Sequence, residues 1–238
     1  MQNDRRYFIK IGAGTLFFGT LIGTGSCFIP KLNSITTILR PPGALDEKEF
    51  LSTCIKCGQC VQVCPYHSLS LLDINYGNSI GTPHLSARDR GCYLCDLLPC
   101  VLACPSGSLN HDVIKAEHVK MGVAILKNPN KCLSLLNKKI QQNDISKILT
   151  HSNKNDREQI VLDDIQKYVG KSCTICADMC PYPNKEKAIG MVLDKNGNYY
   201  PEIRNECVGC GVCEELCPVQ EEAAIVILPR VNYEEIYS

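Results

Sequence analysis

Apolar residues in this chain occur in short runs that follow clusters of cysteine and small residues. Leu69–Ile74, Ile189–Leu193 and Ala224–Leu228 are short, β-prone stretches, and this pattern predicts strands. A small residue followed by a branched apolar one comes after each cysteine cluster, at Ser68-Leu69, Ser108-Leu109, Ala188-Ile189 and Ala224-Ile225. The pattern predicts one unit, a loop, a short helix and a short strand, repeated four times.

Two segments depart from this pattern. Residues Ile11–Pro30 carry no charge and contain several glycines. Residues 137–170 are rich in Lys, Asn, Gln, Asp and Ser, which predicts a polar surface insertion with one helix near Arg157–Tyr168.

Cysteine is the most informative residue type, with 17 among 238 residues. Two runs have the spacing C-x2-C-x2-C-x3-C-P, a third has C-x2-C-x4-C-x3-C-P, and a fourth has C-x2-C-x3-C-P and lacks one near member. In chain order the cysteines of the runs are Cys54, Cys57, Cys60 and Cys64; Cys92, Cys95, Cys100 and Cys104; Cys173, Cys176 and Cys180; and Cys207, Cys210, Cys213 and Cys217.

The first of these spacings is the bacterial ferredoxin run, whose thiolates hold [4Fe–4S] clusters. Gly58 and Gly211 follow the second cysteine of their runs, where the chain must turn close to the cluster. Zinc sites usually pair two C-x2-C knuckles across a longer gap. Cysteines two residues apart rarely meet disulfide geometry. The runs therefore predict four [4Fe–4S] clusters, one for each repeat.

Composition agrees with a fold that metal helps to stabilise. The chain has no Trp and five Phe, and its hydrophobic fraction of 45% counts the cysteines. A purely apolar core would therefore be thin. Lys and Arg total 25, as do Asp and Glu, which argues against a basic nucleic-acid-binding protein.

The N-terminus predicts export. Arg5-Arg6-Tyr7-Phe8-Ile9-Lys10 resembles the twin-arginine signal, and residues 1–36 are interpreted as that signal, either cleaved or retained as a single anchor. Cys27 lies within this segment. Removing it from the count leaves sixteen cysteines, four times four, which favours Cys132 as the missing ligand of the third site.

Together these features resemble the MauM/NapG-type periplasmic ferredoxins, which are associated with methylamine utilisation and nitrate respiration. The resemblance covers nearly the whole chain except roughly residues 137–170. The four-cluster ferredoxin region is residues 37–238, in which the runs span 54–65, 92–105, 132–181 and 207–218. The resemblance is carried by Cys54–Pro65, by Gly81-Thr82-Pro83 before Cys92-Tyr93-Leu94-Cys95, by Pro99–Pro105, by Cys132-Leu133, and by Cys207–Pro218 with Glu221–Ile225.

The resemblance implies an α+β, ferredoxin-like fold of two bis-[4Fe–4S] modules, with short helices, short strands and little regular structure. It implies an electron carrier and not an enzyme. The expected function is to relay electrons in the periplasm from a membrane-integral, NapH-like quinol oxidase through cytochromes toward nitrate reductase. The alternative is an electron-transfer subunit of an exported molybdenum oxidoreductase.

The chain departs from the family in the third run, because Cys132 and Cys173 are separated by 40 residues. A long loop can bring distant ligands together at small entropic cost, so Cys132 remains the expected ligand. Without it, the third site could carry a [3Fe–4S] cluster.

Analogy with four-cluster ferredoxin subunits predicts how the runs pair. The first and fourth runs would form one module and exchange Cys64 and Cys217, while the second and third would exchange Cys104 and Cys180. Arg88 and Arg90, just before Cys92, either face an acidic partner or are solvated, and solvated side chains are the preferred interpretation.

Overall fold

The structure, a computed structural model, describes residues 38–150, 155–195 and 197–230. The predicted export signal at 1–36 and Cys27 lie outside these residues. Within the described part, no helix has the length and apolar character needed to cross a bilayer.

The helices and strands are short and are separated by long loops. The helices are α1 (Glu47–Thr53), α2 (Gln59–Gln62), α3 (Pro99–Leu102), α4 (Gln142–Leu149), α5 (Asp156–Gln166), α6 (Ile175–Asp178), α7 (Lys185–Ala188) and α8 (Val212–Glu215). Three 3-10 turns cover Ile74–Ser79, Ala116–His118 and Pro129–Lys131. The strands are β1 (Leu69–Leu71), β2 (Pro83–Leu85), β3 (Gly122–Leu126), β4 (Ile189–Leu193), β5 (Tyr199–Ile203) and β6 (Ile225–Pro229).

The three strands predicted from apolar runs are confirmed as β1, β4 and β6, each with bounds shifted by at most a few residues. The predicted helix near Arg157–Tyr168 is confirmed as α5. Gly58 and Gly211 adopt left-handed backbone angles, with φ of 74° and 87°, and each precedes a one-turn helix. Glycine is favoured there because a Cβ disfavours positive φ.

Strand pairing divides the described residues into two modules with the same topology. In the first module (residues 38–118), β1 pairs antiparallel with β2, and Ala44 bridges to Leu109. In the second module (residues 119–230), β4 pairs antiparallel with β5, and β3 pairs with β6. In both modules, the strand after the first cysteine run pairs with the strand before the second run. The segment before the first run pairs with the segment after the second run. Each module therefore contains two consecutive runs.

The apolar core is built around the runs. Its largest fully buried side chains include Phe50, Leu98 and Val101 from the first module, and Ile175 and Leu216 from the second. Several cysteines belong to the same cluster of buried residues. The thin core predicted from composition is therefore one in which aliphatic side chains and thiols pack together.

The polar insertion contributes to this core. Ile145 and Ile148 of α4 and Ile165 of α5 are buried, and so is the carboxylate side chain of Glu158. The surface placement predicted from the composition of residues 137–170 does not hold for these side chains. The buried face of α4 is apolar, whereas that of α5 includes Glu158 beside Ile165. The many polar residues around these positions conceal the helical periodicity.

Candidate metal centre

Four cavities, each partly open to solvent, are lined by the sixteen described cysteines. We number them as sites. Site I is lined by Cys54, Cys57, Cys60 and Cys104; site II by Cys64, Cys92, Cys95 and Cys100; site III by Cys180, Cys207, Cys210 and Cys213, with Cys176 at its edge; and site IV by Cys132, Cys173, Cys176 and Cys217.

Each site combines three cysteines of one run with the last cysteine of the other run in the same module. The third run has only two cysteines in its own site, and Cys132 is the third. The last cysteine of each run points into the neighbouring site of the same module. The predicted exchange between the first and fourth runs is wrong, because Cys64 lines site II and Cys217 lines site IV. The predicted exchange of Cys104 and Cys180 between the second and third runs is wrong for the same reason, since they line sites I and III.

Strand pairing explains this outcome. The antiparallel β1–β2 pair places the end of the first run beside the start of the second, while β4–β5 does the same for the third and fourth. Matching spacing in the first and fourth runs shows that their loops are similar. It carries no information about which loops are neighbours.

Cys132 lies beside Cys173 and Cys176 in site IV despite the intervening insertion. It follows the 3-10 turn Pro129–Lys131, which the end of β3 positions. The Lys139–Ser172 bridge joins the two ends of the insertion, so the chain returns to its starting point. The long gap in the sequence is therefore short in space.

The thiols of each site fit an iron–sulfur cluster. All sixteen are free of disulfides. Across residues 38–150, 155–195 and 197–230, no three His, Cys, Asp or Glu side chains converge closely enough for a single ion. Four thiols around a larger space suit a multi-iron cluster better than one tetrahedral zinc.

Because the thiols are buried, they need a bound cation in order to ionise. Burial raises the pKa of Cys60 to about 11 and that of Cys100 to about 12, and neighbouring thiols add to both shifts. Burial raises the pKa of Cys176 well above its usual value as well. Such thiols stay protonated at neutral pH in the apoprotein, so bound iron must displace their protons.

The cysteine at the end of a run is stabilised by hydrogen-bond donors a few residues further on. The Ser68 amide donates to Cys64 Sγ at 3.3 Å, and the Ala224 amide donates to Cys217 Sγ at 3.4 Å. Although burial opposes ionisation at Cys104, hydrogen bonds led by the Ser108 hydroxyl, at 3.3 Å, lower its pKa to about 7. The small residues that mark the repeat therefore leave room for contacts to sulfur.

The two modules meet where site II approaches site III. The Cys92 amide donates to the Cys210 carbonyl at 2.7 Å. Burial raises the pKa of Cys92 well above its usual value, and the neighbouring thiols Cys100 and Cys210 raise it further. Within the first module, Cys60 lines site I and Cys64 of the same run lines site II. Within the second module, Cys176 lines both site III and site IV. The sites therefore follow one another in the order I, II, III, IV.

Arg88 and Arg90 are contact residues at this junction, so the prediction that they are solvated is wrong. Arg88 donates to the carbonyls of Glu214, at 2.8 Å, and Cys217, at 3.0 Å, and also to the Val219 carbonyl. Arg90 lies near the carboxylate of Glu158. The carbonyl acceptors of Arg88 are backbone atoms, which side-chain chemistry in the sequence does not reveal.

Two buried carboxylates at this junction were not predicted from the sequence. Glu158 is 1% exposed and Glu215 is 3% exposed. Glu215 lies between two cysteines of the fourth run, a position that could have directed attention to it. Glu158 lies in a strongly polar segment, and no sequence signal distinguishes it from its exposed neighbours.

Comparison with known proteins agrees with the thiol sites. A family model described as "4Fe-4S dicluster domain" matches residues 53–108, and one described as "4Fe-4S binding domain" matches residues 207–221. These matches, with the arrangement of the cysteines, define the chain as a ferredoxin-type iron–sulfur protein that binds [4Fe–4S] clusters. No solved structure matches the chain.

Several relatives align over most of the chain. The ferredoxin-type protein NapG of Escherichia coli is 31% identical over 96% of this chain and 87% of its own length. NapG of Haemophilus influenzae is 34% identical over 96% of this chain and 73% of its own length. The methylamine utilization ferredoxin-type protein MauM of Methylobacillus flagellatus is 35% identical over 82% of this chain and 69% of its own length. The chain belongs to the NapG/MauM family of ferredoxin-type proteins, as its motifs predicted, and is an iron–sulfur electron-transfer protein.

Proposed function

We propose that this protein carries four [4Fe–4S] clusters, one in each of sites I to IV, and conducts electrons along them without catalysing a reaction on a substrate. Each bound cluster accepts and releases one electron. The observation that carries the proposal is the adjacency of the thiol sites: within each module, one run supplies cysteines to both sites, and the Cys92–Cys210 hydrogen bond joins site II to site III.

Site I is the proposed end of the chain of sites at which a partner protein docks. Of the sixteen cysteines that the structure describes, Cys57 alone is exposed. Ile55, in the same cavity wall, is 64% exposed. An apolar side chain beside an accessible thiol suits close contact with a second redox protein.

The proposed partners follow from the family. We propose a membrane-integral, NapH-like ferredoxin-type quinol oxidase as the electron donor, with electrons passing through cytochromes to nitrate reductase. Alignment over 96% of the chain with proteins named NapG supports this pathway. The twin-arginine-like start supports export to the periplasm with clusters already inserted, either free there or associated with the membrane through its partner or an uncleaved N-terminus.

Anaerobic purification with iron and sulfide analysis tests the cofactor proposal. Four clusters require about sixteen irons and about sixteen sulfides per chain, with reducible EPR signals. About four fewer irons, or a [3Fe–4S] signal, would contradict the proposed fourth ligand at Cys132. Zinc in place of iron would refute the function.

Reduction by a quinol-oxidising membrane fraction tests the pathway. Purified protein should become reduced when quinol and such membranes are both present, and it should reoxidise when periplasmic extract and nitrate are added. Copurification with a large catalytic chain in a fixed ratio would instead support a subunit of a molybdenum oxidoreductase. An Ile55→Lys variant should reduce more slowly with the same iron content.

A further inference from the structure

The turn that carries Cys92 is bound to the fourth cysteine run at several points. The Gly91 amide donates to Glu215 Oε2 at 2.8 Å, and the Tyr93 hydroxyl donates to the same oxygen at 3.1 Å. Between them, the Cys92 amide donates to the Cys210 carbonyl at 2.7 Å. The backbones approach so closely that a methyl group on Gly91 would lie 2.5 Å from the Val212 nitrogen.

A second set of contacts holds this turn from the other side. The Arg90 guanidinium lies 3.7 Å from Glu158 Oε1 and 4.0 Å from Glu215 Oε1, so it is shared by two carboxylates. Glu158 Oε1 also lies 2.9 Å from Nδ1 of His67. Glu215 belongs to the fourth run, whereas Glu158 belongs to α5 in the insertion.

The insertion is anchored to the first run as well. Asn155 accepts a hydrogen bond from the Glu158 amide at 3.1 Å, which caps α5, and its side-chain amide donates to the Pro65 carbonyl at 2.6 Å. Glu158 is therefore held in position from both its backbone and its side chain. The insertion brings one buried charge to the place where the modules meet.

We propose that the turn Arg90–Tyr93 is the crossing point for electrons between sites II and III, and that Glu158 is a positioning residue that keeps this turn against the fourth run. The inference rests on the proposed function. The step is the passage of one electron, with one site oxidised and the other reduced, and no bond is formed or broken. The contacts of Arg90, Gly91 and Tyr93 fix the separation across which that electron moves.

Arg90 interacts with both Glu158 and Glu215, and this explains why Glu158 affects the separation between sites II and III. With both carboxylates present, Arg90 is balanced between them, and Glu215 remains bonded to Gly91 and Tyr93. If Glu158 becomes neutral, Arg90 interacts more strongly with Glu215 and draws that carboxylate away from its two donors. The turn then loses part of its attachment to the fourth run.

A Glu158→Gln variant tests the proposal in the intact, cluster-loaded protein. Two measurements follow iron analysis: the magnetic coupling between reduced clusters by EPR, and the rate of electron redistribution after rapid partial reduction. We expect wild-type iron content, weaker coupling between one pair of clusters, and several-fold slower redistribution. Asp163→Asn removes an exposed charge from the same helix and should leave both measurements unchanged.

Tyr93→Phe provides an independent test if Glu158→Gln fails to fold. It removes one hydroxyl and leaves the ring stacked on Tyr66, where the centroids are 4.2 Å apart. We expect a smaller change in the same direction. Wild-type coupling and redistribution in the folded variants, with iron present, would overturn the inference and leave the proposed function intact. Absence of iron from the wild-type protein would refute the proposed function itself.

Discussion

Replacing Gly91 with alanine is expected to destabilise the protein by separating its two modules. The new Cβ would lie 2.5 Å from the nitrogen and 2.6 Å from the Cα of Val212, and 2.8 Å from the carbonyl carbon of Gly211. Ordinary contact begins at 3.4 Å, so these backbones would have to separate by about 0.9 Å. All three clashing atoms are backbone atoms, and no side-chain rotation can relieve them.

The magnitude follows from the behaviour of overpacked interiors. Inserting a methyl group into a well-packed site typically costs about 1–3 kcal/mol. For a chain of this size, each kcal/mol lowers the unfolding temperature by about 2–4 °C. We therefore expect the unfolding temperature of Gly91→Ala to be lower by roughly 2–12 °C. Separation of the modules should also weaken the hydrogen bond between Cys92 and Cys210.

Thermal unfolding of the anaerobic, iron-loaded protein, followed by circular dichroism and by loss of cluster absorbance, measures this effect. Gly190→Ala is the matched control, because the three atoms nearest to its Cβ belong to the end of the Arg204 side chain, the nearest at 2.7 Å, and not to the backbone. Both glycines have backbone angles open to other residues, so the variants differ mainly in what the methyl group meets. Equal unfolding temperatures for the two variants would refute the close approach of the modules at Gly91.

Three further predictions concern single sites. Cys104→Ser should remove iron from site I and leave site II filled, as cluster-specific EPR signals would show. Loss confined to site II would contradict the exchange of cysteines within modules. Ser108→Ala should lower the midpoint potential of site I, because the hydroxyl stabilises the thiolate and hence the more negative reduced state. A difference of about 1 kcal/mol is on the order of 40 mV for one electron, and Ser106→Ala, whose hydroxyl lies 3.7 Å from the sulfur, should shift a redox titration less. Ile165→Ala should cost about 2–5 kcal/mol in chemical unfolding, whereas Ile160→Ala, on the same helix and 59% exposed, should stay within about 0.5 kcal/mol; similar losses would show that α5 does not pack into the core.

Features that depend only on residues close together in the chain could be predicted from the sequence. Spacings of two and three residues set how one loop presents thiols, so the ferredoxin family and the ligand candidates could be predicted without coordinates. Gly58 marks a left-handed turn for an equally local reason. The strands after the runs were also visible, because a short apolar stretch needs only its own residues to be recognised.

Which loops share a site depends on the tertiary structure. Cys64 and Cys104 exchange between the first and second runs because β1 pairs with β2, and similar runs elsewhere in the chain do not reveal that pairing. The same holds for Glu158, whose burial results from the packing of a polar helix between the modules. A charged side chain in a polar segment is usually solvated. The contact of Glu158 with Arg90 is visible only in the tertiary structure. Ligand type and loop shape are encoded over a few residues, while the arrangement of the sites depends on contacts between segments far apart in the chain.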